Sequence, residues 1–164
     1  PTLELPKEGP EPALVLAVTR QESAFDKGAR SPANALGLMQ LLPRTARSVS
    51  RTLRLRYSRK KLLSDPDYNI RLGGAYLNGL IKEFDGSYVL AIAAYNAGPT
   101  RVRRWIRTMG TPREAGVSTI DWVESIPIHE TRNYVQRVLE NLQIYRMRLN
   151  GGAFFLQTSE DLVR

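Results

Sequence analysis

Residues 12–25, PALVLAVTRQESAF, are predicted to form a helix around which the rest of the chain packs. Proline suits the first position of a helix, where its missing N–H costs nothing, so a helix is predicted to begin at Pro12. At about 100° per residue, one face of this helix collects the apolar side chains of Leu14, Val15, Val18 and Phe25. A helix with such a face packs against a core, and the rest of the chain is expected to be arranged around it.

Glu22 falls on the same face, at about 80° by this count and inside the apolar stripe. Loss of water at that position disfavours the charged carboxylate, so the pKa of Glu22 is expected to rise. Burial of an ionised carboxylate without a partner would cost several kcal/mol or more. Glu22 is therefore a candidate catalytic acid. The alternative is an ordinary ion pair at the rim of the protein, with Arg20 or Arg30, because structural ion pairs perturb carboxyl groups too.

Outside this stretch, the hydrophobic pattern predicts about six helices and no strand alternation of useful length. Further helices are predicted from Pro43, from Pro66 with Asp65 as its cap to about Asp85, from a Ser87 cap to Gly98, over 100–107, and from Glu130 to Asn150. The last of these is predicted to have an apolar inner face formed by Val135, Val138, Leu142, Tyr145 and Leu149. Residues 26–34 and 108–120 are typical of loops, and residues 35–43 indicate either a core loop or the floor of a ligand site. The predicted fold class is all-α, with at most a minor β element.

The chain is predicted to hold one domain, which is the expectation for 164 residues with 42% hydrophobic and 24% charged content. Residues 1–11 are interpreted as a lead-in or linker remnant, residues 12–150 as the domain, and residues 151–164 as a tail that packs back or frays. Neither a leader peptide nor an apolar run near the ~20 residues of a membrane span is recognised. Because the sequence starts at Pro1 and not at Met, a mature or excised fragment is expected.

Composition excludes several classes of site. The chain has no cysteine and one histidine, His129, so a disulfide framework, a thiolate or His-rich metal site and a histidine-based triad are not expected. No metal or cofactor is expected. The net charge of +8 indicates an anionic partner, which could be nucleic acid, anionic lipid or acidic envelope polymer. Residues 51–61 are predicted to be a solvated basic face. A nucleic-acid partner is the weaker reading, since it leaves the placement of Glu22 unexplained.

Four segments, taken in order, resemble the catalytic domain of the family 1 soluble lytic transglycosylases. They are Gln21-Glu22-Ser23, Gly37-Leu38-Met39-Gln40, Ala94-Tyr95-Asn96-Ala97-Gly98-Pro99, and Val123-Glu124-Ser125-Ile126-Pro127 followed by Glu130-Thr131-Arg132-Asn133-Tyr134-Val135. The resemblance covers roughly residues 10–150. It implies a lysozyme-like helical fold with a substrate cleft, a periplasmic or envelope location, and peptidoglycan glycan strands as substrate.

The resemblance also implies an activity. Such enzymes cleave the β-1,4 bond between N-acetylmuramic acid and N-acetylglucosamine without water, and they leave a 1,6-anhydromuramyl end. By motif, Glu22 would be the single acid and base, with no cofactor. Substrate contacts would come from Ser31, Met39, Gln40, Tyr95, Asn96, Glu124 and Tyr134. Glu124 is open to two interpretations, since it could orient substrate or only pair with Arg132.

The residues support a single-acid reaction in their own right. Ordinary glycosidases need two carboxyl groups, about 5 Å or about 6.5–9.5 Å apart, whereas substrate-assisted enzymes need only one. Two alternatives on the same fold remain, a hydrolytic muramidase like the goose-type lysozymes and a non-catalytic wall-binding module. Association with other envelope proteins, or with a helical region preceding residue 1, is a further expectation.

Overall fold

The computed structural model describes residues 9–113, 117–151 and 157–163. Its helices are α1 (Pro12–Ser23), α2 (Pro43–Thr52), α3 (Lys61–Ser64), α4 (Pro66–Glu83), α5 (Tyr88–Ala97), α6 (Pro99–Met109), α7 (Thr119–Glu124), α8 (His129–Leu149) and α9 (Thr158–Val163). Extended pairing in these ranges is limited to the isolated bridges Arg30–Leu36 and Leu36–Leu41. The all-α prediction with a minor β element is confirmed.

None of the helices in these ranges combines the length and the apolar character that crossing a membrane requires. By its internal contacts the chain divides into two compact units, Pro1–Asn78 and Gly79–Arg164. The first thirteen residues of α4 belong to the first unit and its last five to the second.

Helix α1 begins where the sequence predicts and ends earlier. Pro12 occupies the first turn, and Leu14, Val15 and Val18 are buried, as their shared face indicates. Ala24 then adopts a left-handed conformation with φ of 50°, and Phe25 follows with φ of 67°. The prediction that Phe25 lies on the helix face is wrong, because the left-handed conformation of these two residues ends the helix at Ser23 and hydrophobic periodicity carries no information about it.

A cluster of buried side chains stabilises the first unit. It is contributed by the segment between α1 and α2 and by the helices α2, α3 and α4, namely Leu36, Leu41, Ala46, Leu62 and Leu72. Asp65 caps α4 as predicted, since its Oδ1 accepts a hydrogen bond of 3.0 Å from the Tyr68 N–H. The basic face predicted at residues 51–61 is present, because all six of its Arg and Lys residues are exposed.

The second unit is built around α5, whose residues from Tyr88 to Ala94 are all buried. This helix is apolar on every side and packs against α6 and α8. Ser87 caps it as predicted by accepting from the Leu90 N–H. In α8 the predicted inner residues Val135, Val138 and Leu142 are buried. Leu149 was predicted on the same face and is 54% exposed, because the helix end extends beyond its packed turns.

Three short helices lie where no helix was predicted, and the four-residue helix α3 is one of them. Helix α7 begins at Thr119, within the predicted 108–120 loop, and Ser118 caps it by accepting from the Asp121 N–H. Helix α9 belongs to the predicted tail and packs back onto α8. There the Arg146 guanidinium donates to both carboxylate oxygens of Asp161, at 2.6 and 2.8 Å, and both side chains are buried. The tail aromatics Phe154 and Phe155 lie outside the described residues.

Candidate active site

Glu22 lies in the last turn of α1 and is half-buried. The next residue, Ser23, donates its hydroxyl to the Leu38 carbonyl at 2.8 Å and to the Thr19 carbonyl at 3.3 Å. Because the bond to Leu38 spans fifteen residues, it connects the end of the helix that carries Glu22 to the turn at residues 37–40. The expected rise in the pKa of Glu22 stays a prediction.

The turn at residues 37–40 has an unusual backbone, with φ of 75° at Gly37 and 45° at Gln40. A Cβ atom on Gly37 would collide with the Leu62 carbonyl and the Asn69 amide, so only glycine fits there. The Gln40 Nε2 donates to the carbonyls of Ala29 and Gly37, at 3.1 and 2.8 Å. Its side chain therefore has the hydrogen-bond partners that an amide in an apolar run requires.

The side chain of Asn69 binds the backbone within and directly before the turn at residues 37–40, a role that was not predicted from the sequence. Its side chain is 1% exposed, and its Oδ1 accepts from the Met39 N–H at 2.9 Å. Its Nδ2 donates to the carbonyls of Leu36 and Leu62, each at 2.9 Å. The available signal was an amide directly before Ile70 in the apolar pattern of α4, since a buried amide needs partners.

Two of the residues predicted to contact substrate in this unit, Met39 and Ser31, make contacts within the protein itself. Met39 is fully buried and packs on Gly73, and its contact with substrate stays a prediction. Ser31 is half-buried, and its hydroxyl accepts from the Ala35 N–H at 3.0 Å within its own loop. Its contact with substrate stays a prediction.

In the second unit, Tyr95 and Asn96 lie in the last turn of α5 and are half-buried, as predicted from the helix stop at Gly98. Thr131, in the first turn of α8, donates its hydroxyl to the Asn96 Oδ1 at 2.6 Å. Thr131 is 1% exposed. This bond fixes which end of the Asn96 amide faces α8 and leaves its Nδ2 as the end that can donate elsewhere. Thr131 belongs to the segment Glu130–Val135 that carries part of the family resemblance, but no role was predicted for it.

Glu124, the last residue of α7, is bound from two sides. Its Oε1 accepts from the Gln136 Nε2 at 2.6 Å, and its Oε2 lies 3.7 Å from the Arg132 Nη1. The pairing with Arg132, one of the two interpretations, is therefore present. The Glu124 side chain is 52% exposed, so such a pair contributes about 0–1 kcal/mol and the carboxylate stays accessible. Substrate orientation by Glu124 stays a prediction. Tyr134 is buried at 5% exposure.

The structure thus groups the predicted residues within each unit. In the first unit it joins Glu22, through Ser23, to the turn that carries Gln40. In the second it joins Asn96 to Thr131, and Glu124 to Gln136 and Arg132. Across residues 9–113, 117–151 and 157–163, no group of three or more His, Cys, Asp or Glu side chains is placed to hold a metal ion.

Two family models match the chain. The transglycosylase SLT domain matches residues 4–116, and the soluble lytic transglycosylase helical domain matches residues 125–153. The soluble lytic murein transglycosylase of Escherichia coli K12 is 40% identical over 142 residues, which are 85% of this chain and 21% of that protein. A putative soluble lytic murein transglycosylase of Haemophilus influenzae is 45% identical over 127 residues, 77% of this chain and 21% of that protein. The chain spans about a fifth of the length of these curated relatives.

Solved structures agree with these matches. An inactive variant of the lytic transglycosylase Slt from Pseudomonas aeruginosa, in which glutamine replaces a glutamate, superposes with a TM-score of 0.78 at 46% identity. The match covers 86% of this chain and 22% of that one. A 70-kDa soluble lytic transglycosylase in complex with bulgecin A superposes with a TM-score of 0.77 at 36% identity, over 90% of this chain and 22% of the other.

Proposed function

This chain belongs to the transglycosylase SLT domain family, and from that membership we propose that it is a peptidoglycan lytic transglycosylase. It cleaves the β-1,4 bond between N-acetylmuramic acid and N-acetylglucosamine and leaves a 1,6-anhydromuramyl end. The observation that carries the proposal is the position of Glu22, which is half-buried and connected through Ser23 to the turn at residues 37–40.

Glu22 is the single acid and base of the proposed reaction. The inactive glutamine variant of the Pseudomonas aeruginosa relative supports the need for one glutamate in such an enzyme. A second carboxyl group is unnecessary when the substrate supplies its own nucleophile. The second acidic residue of the resemblance, Glu124, is bound by Gln136 and Arg132, an arrangement that suits orientation of substrate better than attack on carbon.

The proposed reaction has two steps. Protonated Glu22 first donates its proton to the glycosidic oxygen, the C1–O bond breaks, and the acetamido oxygen of the muramyl sugar bonds to C1. The Glu22 carboxylate then takes the proton of the 6-hydroxyl group as O6 bonds to C1 and displaces the acetamido oxygen. The sugar closes into its 1,6-anhydro form, Glu22 is protonated again, and no water is consumed. General acid–base catalysis of this kind contributes about 10²–10⁴-fold to the rate.

The other site residues hold the substrate in this proposal. Gln40 is fixed through its Nε2 end, which orients its Oε1 end for a sugar hydroxyl or amide. Asn96 is fixed through its Oδ1 end by Thr131, so its Nδ2 donates to the substrate. Ser31, Tyr95, Glu124 and Tyr134 are proposed to contact the sugars as well.

The proposed location is the bacterial periplasm or cell envelope, where the substrate occurs. Relatives carry names of both soluble and membrane-bound murein transglycosylases. Because those relatives are about five times as long as the matched region, we also propose that this catalytic region works together with further domains or envelope proteins.

Digestion of purified sacculi by the wild type and by Glu22→Gln, followed by mass spectrometry, tests the proposal. The wild type is expected to release fragments one water lighter than reducing-ended fragments, and Glu22→Gln is expected to lose at least 100-fold in rate. Glu140→Gln, which changes an exposed glutamate on α8, is the matched control and should retain full activity. Reducing-ended products would identify a hydrolase. Sacculus binding without release of fragments would identify a wall-binding module.

A further inference from the structure

Positive charge is concentrated in one part of the first unit. Residues 27–64 contain ten of the 24 Lys and Arg residues and none of the 16 Asp and Glu residues. The remaining 126 residues therefore carry fourteen cations against sixteen acids, a net charge of −2, so this basic segment accounts for more than the whole net charge of +8. A segment of this kind attracts anions to its own surface and not to the protein at large.

Packing directs these cations outward. In residues 53–57 the apolar members Leu53, Leu55 and Tyr57 pack against the core cluster, while Arg54 and Arg56 are exposed. On α2, the exposed residues Arg44, Arg47 and Arg51 recur at spacings of three and four, which places them along one side of the helix over about 10 Å.

A groove lies beside this row of arginines. It has a volume of about 230 Å³ and is lined by two successive turns of α2 and by one side chain of α4, namely Arg44, Thr45, Ser48, Val49 and Tyr76. Val49 and Tyr76 also pack against the core cluster, so the floor of the groove is anchored. One guanidinium group, three hydroxyl groups and an apolar floor thus line one recess. This α2 groove contains no residue assigned above to the reaction.

The lining indicates the chemistry of a ligand. A guanidinium group binds a carboxylate through two parallel hydrogen bonds, and neighbouring hydroxyl groups can donate to the remaining lone pairs. The groove is open to one side and can admit part of a flexible chain, whereas the exposed residues Arg47 and Arg51 extend the positive charge beyond it. These features fit a flexible acidic peptide better than a rigid polymer with a regular charge repeat.

We infer that the α2 groove binds the carboxylate-bearing peptide stems of the wall polymer. The inference rests on the proposed function, because the glycan that Glu22 cleaves carries such stems. Arg44 holds a stem carboxylate, Thr45 and Ser48 bind its peptide groups, and Arg47 and Arg51 attract neighbouring stems. The groove raises affinity for stem-bearing strands and takes no part in the chemical step.

The double variant Arg44→Gln with Arg51→Gln tests the inference, with Arg104→Gln and Arg107→Gln on α6 as the matched control. All four arginines are exposed, and each pair of substitutions removes two positive charges. The measurements are kcat and KM on sacculi with intact stems and on glycan freed of stems by an amidase, together with equilibrium binding of each variant to both materials.

The α2 variant is expected to raise KM and weaken binding about five- to tenfold on the stem-bearing material only, with kcat unchanged. The control should change either quantity less than twofold. Equal losses in the two variants would overturn the inference in favour of general charge attraction. Equal losses by the α2 variant on both materials would overturn it in favour of a glycan contact. If the wild type bound the stem-bearing material selectively but cleaved neither material, binding of stems by the α2 groove would be supported and the proposed function would be refuted.

Discussion

The hydroxyl group of Ser23 donates a 2.8 Å hydrogen bond to the backbone carbonyl of Leu38. Ser23 follows the proposed catalytic acid, and Leu38 belongs to the turn that carries Gln40. One side chain thus sets the distance between the end of α1 and the turn. Its removal should affect the geometry of the reaction as well as the stability of the fold.

Ser23→Ala is expected to lower kcat about tenfold, because displacements of about 1 Å at a reacting group can cost up to 100-fold in rate. The free energy of unfolding should fall by about 1 kcal/mol, the contribution of one hydrogen bond. Steady-state kinetics and urea denaturation measure the two effects. Thr52→Ala, which removes an exposed hydroxyl on α2, serves as the control. A stability loss with unchanged kcat would limit the Ser23 bond to a structural role.

Alanine substitutions at two glycines of α4, Gly73 and Gly79, are expected to have opposite effects on the free energy of unfolding, because only Gly73 is in close contact with Met39. A Cβ atom at position 73 would lie 2.7 Å from the Met39 Cβ, so Gly73→Ala should destabilise the protein by about 1–3 kcal/mol through overpacking. At position 79 a Cβ atom meets nothing within 4 Å, and Gly79→Ala should stabilise the helix by about 0.4–1 kcal/mol. Urea denaturation compares the two. Equal effects at both positions would refute the close contact.

Asn69→Ala should cost at least about 3 kcal/mol, because it leaves the Met39 N–H and the carbonyls of Leu36 and Leu62 without their buried partner, at about 1–3 kcal/mol for each group. Asn133→Ala, at an exposed position on α8, is the control and should stay within about 0.5 kcal/mol of the wild type. Circular dichroism in urea measures the difference. A loss under 1 kcal/mol for Asn69→Ala would contradict its role as the anchor of the turn.

Thr131→Val should weaken substrate binding about fivefold, since Asn96 loses the bond that orients its amide and one hydrogen bond contributes about 1 kcal/mol. Thr131→Ser keeps the hydroxyl group and should retain most of the affinity. KM on purified glycan measures the effect. If valine and serine behaved alike, orientation of Asn96 by the hydroxyl would be refuted.

Asp161→Asn should destabilise the protein by about 3–5 kcal/mol, because it removes the charge that faces the buried Arg146 guanidinium. Glu160→Gln, one residue away and exposed, should change the free energy of unfolding by less than about 0.5 kcal/mol. Thermal and urea denaturation provide the comparison. Similar values for the two variants would show that α9 contributes little to the second unit.

Local sequence patterns were sufficient to predict most of the helices. The caps at Asp65 and Ser87 and the start at Pro43 depend on residues within one helical turn, and all three are confirmed. The end of α1 was missed because left-handed residues at positions 24 and 25 leave no mark in the hydrophobic pattern. Helix α7 is only six residues long, too short for periodicity to detect.

The candidate site was less predictable, because its geometry depends on bonds between distant residues. Gln40 was expected to need a partner, and the structure supplies Ala29 and Gly37. The three bonds of Asn69 reach across as many as 33 residues, so the local sequence indicates that this amide needs partners but does not identify them. The burial of Met39, whose backbone N–H donates to Asn69, could likewise not be predicted from the local sequence.

The contact between Arg146 and Asp161 bears on where a recombinant fragment of this chain can end. A recombinant fragment that stopped at Asn150, where the long helix ends, would lack the carboxylate that neutralises the buried Arg146 guanidinium. Such a fragment would expose the cavity left by α9 and would tend to aggregate during expression. A boundary placed beyond residue 163 keeps the charge compensated and the crevice filled.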